Sequence, residues 1–390
     1  MSKGLEPLLP PESEPGFKGI PEAGSAPTAS QAANLSTPAA AIEEAIARPP
    51  RFDPELERAA DAIIAQVGGK PETIAGKLVK ELIITSAKLL PDGRSTGELK
   101  LMTNAVKELR YAYRVFSRYE QARKVTIFGS ARTPPAHPDY AACVDFSRRM
   151  AAAGWMSITG AGLGIMHAGH VGPGRGASFG VAIRLPFETT ANEVIAGDEK
   201  LIQFRYFFTR KLMFISQAEA VALFPGGFGT LDEAFEALTL VQTGKAQMVP
   251  IVMLEGEGGD YWRSFDEWIR AQPLKRGWIS PEDTGLYSIA PTAQVAVEHI
   301  ERFYRVYHSM RYIRDTLVIR LHRPISEQAL DALNTEFRAI VKEGSIVQRG
   351  AFDIEEEHRE LPRLAFVHTR SKFGLVRRMI DRINESEAGH

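Results

Sequence analysis

Between Pro225 and Glu233 the chain reads PGGFGTLDE. A residue without a Cβ lets the backbone come close to a ligand, and free N–H groups at a helix start attract anions. Gly226, Gly227 and Gly229 can therefore present amides to a phosphate, with the Thr230 hydroxyl beside them. Glu233 follows three residues later, near the same helix face as Thr230. That arrangement suits a phosphate on the amides and a sugar hydroxyl on the carboxylate. Thr230-x-x-Glu233 also fits a capping box, in which the glutamate only satisfies a backbone donor. Spacing alone leaves both readings open. Two further glycine turns, FGSAR (128–132, with Ser130) and TGAGLGIM (159–166, with Gly160, Gly162 and Gly164), also end apolar runs. Several such turns on one sheet edge suggest a phosphorylated ligand. Arg210 and Lys211, within FRYFFTRKLMF, read either as a solvated basic pair or as cations facing that ligand.

Other chemistries lack their residues. No GxxxxGK[ST] occurs, which argues against a P-loop. Gly160, Gly162 and Gly164 form GxGxG, one residue short of the dinucleotide spacing. The next strand ends in Arg184-Leu185-Pro186 without an acidic residue for a ribose, which argues against NAD. A plain strand-to-helix turn remains the alternative for TGAGLG. His167 and His170 lie three apart, but no third ligand has a matching spacing, so no metal is expected. Cys143 is the sole cysteine, which excludes an intramolecular disulfide and a Cys-rich zinc site. No cofactor is called for.

The elements that must position these residues alternate. VTIFGSAR, WMSITGAG, FGVAIRLP, AVALFPGG and VPIVML read as strands, and the segments between them as helices. This alternation predicts an α/β fold with a Rossmann-like, doubly wound parallel sheet, helices on both faces, and ligands at the carboxyl ends of the strands. VAVEHIERFYRVYHSM predicts a closing helix to about Met310. Nine of the 24 prolines fall in the first 50 residues, a composition that predicts a disordered tail over 1–52. Asp53-Pro54 opens a helical N-terminal segment over 53–122. The Rossmann-like domain is placed at 123–310. A small C-terminal α/β unit over 311–390 follows, with TLVIRLH and LAFVHT as strands, and SEQALDALNTEFRAIVKEG and FGLVRRMIDRIN as helices.

The 390 residues suggest two or three domains. Hydrophobic residues make up 44%, charged residues 24%, and the net charge is -1. No basic field points to nucleic acid or an anionic membrane. The longest apolar run, MVPIVML, is far short of the roughly 20 residues of a membrane helix. Prolines interrupt the N-terminus, which argues against a signal peptide. A reducing cytoplasm is the expected home.

Taken together, RK-x-x-F and PGGxGTxxE resemble the signature of the Lonely Guy (LOG) family of nucleoside 5'-monophosphate phosphoribohydrolases. Here they read Arg210-Lys211-Leu212-Met213-Phe214 and Pro225 through Glu233. FGSAR and TGAGLGIM fit the same family in order and spacing, and the resemblance covers roughly Lys124 to Met310. It implies Arg210 and Glu233 as a catalytic pair. Gly226, Gly227, Gly229 and Thr230 match a phosphate cradle. Ser130, Gly160, Gly162 and Gly164 would sit near the nucleotide. The implied activity is hydrolysis of the N-glycosidic bond of purine or cytokinin-type nucleoside 5'-monophosphates, giving free base and ribose 5-phosphate. A homodimer or higher homo-oligomer is expected from the resemblance. The alternative is a nucleotide- or cofactor-binding protein on the same scaffold without turnover.

Overall fold

A computed structural model describes residues 54–184 and 191–387. The tail expected over 1–52, and Asp53 as a helix cap, lie outside the described residues. The chain divides into two compact units, Met1–Asn104 and Ala105–His390.

The described part of the first unit is helical. Helix α1 (Pro54–Gln66) and α2 (Ile74–Lys88) pack on one another, with Lys80 Nζ 2.6 Å from Asp61 Oδ1. Thr73 caps α2 by accepting the Gly76 N–H at 3.1 Å. Helix α3 (Thr96–Phe116) opens with a capping box between Ser95 and Glu98, and the unit boundary falls within it.

The second unit is built on a seven-stranded parallel sheet. In chain order its parts are β1 (Lys124–Phe128), α4 (Pro138–Ala152), β2 (Met156–Thr159), α5 (Ile165–Val171), β3 (Ser178–Ile183) and β4 (Leu201–Phe204). Then come α6 (Phe207–Ser216), β5 (Ala220–Leu223), α7 (Phe228–Gln242), β6 (Ile251–Met253), α8 (Tyr261–Ile269), β7 (Tyr287–Ile289) and α9 (Ala293–Phe303). The strand order is β4-β3-β2-β1-β5-β6-β7, with every pairing parallel. This is the Rossmann-like, doubly wound sheet that the alternating elements predict. All five residues of β1 are buried, as a central strand covered on both faces requires. Helix α4 packs on α5 and α9, and α6 is tied to α7 by ion pairs; right-handed crossovers that run one way from β1 to β4 and the other way from β4 to β7 put the two groups on opposite faces. Strand order reverses between β1 and β5, which places the crevice beyond their carboxyl ends.

Four strands were not anticipated. Edge strands β4 and β7 have four and three residues, too short for a legible alternation, so the PGG turn follows the fifth strand rather than the fourth. The closing helix stops at Phe303, and β8 (Tyr307–Ile313) begins a second sheet with β9 (Thr316–Leu321), β10 (Val341–Arg349) and β11 (Arg363–His368). Its order is β10-β11-β9-β8, all antiparallel, with α10 (Glu327–Glu336) and α11 (Phe373–Glu385) beside it. Asn384 of α11 ends the closing helix. Its Oδ1 accepts the N–H groups of Val306 (2.8 Å) and Tyr307 (3.0 Å), and its Nδ2 donates to Phe303 O (2.6 Å). The helix expected through Gly344 likewise stops at Glu336. Asn334 there exchanges two hydrogen bonds with the Ile346 backbone and holds β10 in place. Behind this sheet, Glu355 is buried between Arg320 (2.9 Å) and Arg363 (2.8 Å). Burial alone would raise its pKa; bonds from Arg363, the Phe352 N–H and Arg320 bring it to about 2.

Candidate active site

Three glycine turns meet beyond the carboxyl ends of β1, β2 and β5, and the Ser130 backbone joins them. Its N–H donates to Pro225 O and its carbonyl accepts the Ile165 N–H, both at 3.0 Å. Its hydroxyl accepts the Arg132 N–H at 3.1 Å. The joint leaves no room for side chains at two of the predicted glycines. A Cβ on Gly226 would lie 2.2 Å from Thr230 Oγ1, and one on Gly164, at φ +61°, would lie 2.3 Å from Ser130 O. These two glycines are set by packing, and neither lines the cleft.

The cleft has a volume of about 960 Å³. Ser130, Gly160, Gly162, Gly227, Gly229, Thr230, Arg210 and Glu233 all line it. At Gly227 and Gly229, among the described residues, no atom beyond the immediate chain neighbours and the helix's own backbone lies within 4 Å of where a Cβ would sit, so the described packing does not demand glycine there. Helix α7 begins at Phe228, with Gly227 at its N-cap and no side-chain cap. The first N–H groups of a helix lack intrahelical acceptors, so Phe228, Gly229 and Thr230 present theirs at the cleft. Thr230 is thus the third helical residue, not the cap. This removes the capping box as the account of Glu233.

Arg210 comes from α6 and is 8% exposed. Its Nε donates to Val181 O at 2.9 Å, and its guanidinium lies 5.0 Å from the centre of the Phe214 ring. Gly160 makes the space, since a Cβ there would lie 2.5 Å from Arg210 Nη2. Lys211 turns the other way, to Asp232 (2.6 Å) and Glu236 (3.1 Å) on α7. Of the predicted basic pair, only Arg210 reaches the cleft. Glu233 is mostly buried, and burial is the main force pushing its pKa up to about 7; Arg210 opposes it, and Asp232 reinforces it. At neutral pH such a carboxyl can serve as acid or base.

The two histidines of α5 do not converge. His167 Nδ1 meets Tyr140 Oη at 2.8 Å, and its Nε2 lies 2.9 Å from Glu193 Oε1. His170 is fully buried against Thr159, Phe179 and Asn192. Among the described residues, no group of three acidic, histidine or cysteine side chains could hold a metal.

Several positions went unread in the sequence. Phe207, Phe228 and Met166 add apolar walls, and Arg132, Arg184 and Gln203 add polar ones. Phe228 is 94% exposed. Glu108 of α3 holds the start of α6: Oε1 accepts the Arg205 N–H and Oε2 the Thr209 hydroxyl, both at 2.8 Å. Pairings between elements some 100 residues apart leave no local signal.

A parallel sheet with a cleft at its switch point, lined by a mostly buried carboxyl, defines an α/β Rossmann-like fold. The family model described as "Possible lysine decarboxylase" matches residues 161–300. The "Probable cytokinin riboside 5'-monophosphate phosphoribohydrolase LOGL3" of Oryza sativa subsp. japonica is 34% identical over 94 residues, 24% of this chain and 43% of the rice protein. The cytokinin riboside 5'-monophosphate phosphoribohydrolase LOG3 of Arabidopsis thaliana is 32% identical over 94 residues, 24% of this chain and 42% of its own length. The matched segment therefore spans less than half of these relatives. Among solved structures, the molybdenum cofactor carrier protein of Chlamydomonas reinhardtii is 17% identical, with 46% of this chain and 97% of that one covered and a TM-score of 0.33. Over the 94 matched residues the chain is similar to the LOG phosphoribohydrolases.

Proposed function

We propose that the protein hydrolyses the N-glycosidic bond of a purine nucleoside 5'-monophosphate, releasing free base and ribose 5-phosphate. The observation that carries this reading is the meeting of Glu233, Arg210 and the open amides of α7 in one cleft. The phosphate sits on the amides of Phe228, Gly229 and Thr230, which fixes the ribose beside Glu233. Bond cleavage builds positive charge on the sugar, as in glycoside hydrolysis. The Glu233 carboxylate stabilises that charge and accepts a proton from the attacking water. Arg210, held by Val181 O, orients the nucleotide and favours the ionised form of Glu233. Phosphate contacts remote from the reacting bond supply orientation.

The family model's description implies a different chemistry. A pyridoxal phosphate decarboxylase needs a lysine for its Schiff base, and no described residue lining the cleft is a lysine. The test is incubation with AMP, GMP, CMP, UMP and a cytokinin ribotide, followed by chromatography for free base. Release from a purine monophosphate, with far slower release from the matching nucleoside, supports the reading. Binding of AMP without base release overturns it in favour of a non-catalytic nucleotide-binding protein.

A further inference from the structure

We propose that Asn192 and His170 are positioning residues for nucleotide binding: they fix the Gly160–Gly162 turn in the shape that offers its amides to the nucleotide. This inference rests on the reading above.

The turn is held from one side. Asn192 Nδ2 donates to Ala161 O (3.1 Å) and Gly162 O (2.9 Å), and the Asn192 N–H donates to Ala161 O (2.8 Å). A trans peptide unit is planar, so its C=O and the following N–H point in opposite directions. Drawing the carbonyls of Ala161 and Gly162 toward Asn192 turns the N–H groups of Gly162 and Leu163 away from it. Among the described residues, no protein acceptor takes either N–H. Ala161 and Gly162 line the cleft. The geometry has a cost that the grip offsets: Ala161 sits at φ +64°, a left-handed conformation that a residue with a Cβ adopts only when its surroundings impose it.

His170 sets the direction of the Asn192 carboxamide. Its Nε2 lies 3.0 Å from Phe179 O, which can only accept, so Nε2 carries the proton. Nδ1 is then an acceptor; the Asn192 carboxamide meets it side-on, with Nδ2 at 3.2 Å and Oδ1 at 3.3 Å, and an acceptor there favours the nitrogen. The nitrogen end of the carboxamide is thereby fixed toward the two turn carbonyls. Thr159 Oγ1 closes the network, 2.9 Å from His170 Nε2 and accepting the Ala161 N–H at 3.1 Å. His170 and Asn192 are both buried and lie outside the cleft lining, so they act through the turn.

The test compares the parent protein with Asn192→Ala and His170→Gln. Glutamine keeps a donor for Phe179 O but not the acceptor that orients Asn192. Three readouts are taken: AMP affinity by calorimetry, the split of KM against kcat for AMP, and amide exchange over residues 160–164. For Asn192→Ala, Kd and KM should rise about tenfold, while kcat falls by at most about threefold. Exchange should quicken at the turn and not in β1 or β5. His170→Gln should shift the same quantities in the same direction by less. A lowered melting temperature with unchanged AMP affinity would mean a purely structural role and overturn the inference. So would unchanged exchange at the turn. AMP bound by the parent but not hydrolysed overturns the hydrolase reading alone; AMP not bound by the parent overturns both.

Discussion

Burial drives the Glu233 carboxyl up to about 7 against the pull of Arg210. Glu233→Gln keeps the size and removes the charge. Adenine release from AMP should fall about 10²–10⁴-fold, while calorimetry still shows AMP bound. The same variant reports on stability. A carboxyl whose folded pKa is raised stabilises the fold fully below its unfolded value near 4.5, and that contribution is lost as pH rises through about 7. Urea unfolding should therefore find Glu233→Gln level with the parent near pH 4.5, and more stable above about pH 7.5 by roughly 1–3 kcal/mol. Activity follows the opposite course. With the carboxylate as the working form, kcat/KM should climb with pH and level off above about 7, whereas the glutamine variant keeps only the titration of the AMP phosphate near 6. Identical profiles would remove Glu233 from the chemistry. At this scale the sequence left cap and catalyst tied, because glycine is a poor helix former and hides a helix that begins at Phe228. The N-cap at Gly227 removes the cap reading.

Turns and helices carry a second set of expectations. Gly226 and Gly227 are neighbours with opposite duties. Gly226→Ala forces a methyl against Thr230 Oγ1 and the Ser130 N–H, and should cost roughly 1–3 kcal/mol or more in urea unfolding. Gly227→Ala meets no atom of the described residues beyond its chain neighbours, so its melting temperature should hold while its affinity for AMP falls. Equal melting losses in the two variants would contradict this division. Helix α6 offers a third case. Glu108 bonds the Arg205 N–H and the Thr209 hydroxyl where α6 has no cap of its own. Glu108→Ala should cost about 1 kcal/mol, as loss of a cap does. It should also lower kcat for AMP through a looser Arg210, one turn along the same helix. The glycine turns were legible because a local motif carries their geometry. The Glu108 clamp and the Asn192 grip were not, because each joins distant segments through a single polar side chain.

Across the whole molecule, alternating strands and helices were enough to foretell the parallel sheet, since buried strands read as continuous apolar runs. The second sheet was half legible. TLVIRL and RLAFVH are mostly buried and read as strands, while β8 and β10 carry polar and charged residues among the apolar ones. Asn384 is the link that sequence could not supply. Asn384→Leu leaves the N–H groups of Val306 and Tyr307 without their acceptor, at roughly 1–3 kcal/mol for each buried group. Denaturant midpoints should drop accordingly, with AMP turnover per folded molecule unaltered, because no residue of α11 lines the cleft. The central strand has a further consequence, one of timing. β1 pairs with β2 on one edge and with β5 on the other, and Lys124 bonds Glu219, 95 positions downstream. Non-local pairings of this kind fold slowly. A chain emerging from the ribosome must therefore carry β1 with one edge open through the synthesis of α4, β2, α5, β3, β4 and α6. Until β5 arrives, that edge is a template for a neighbouring nascent chain, and the interval is where a chaperone would be needed most.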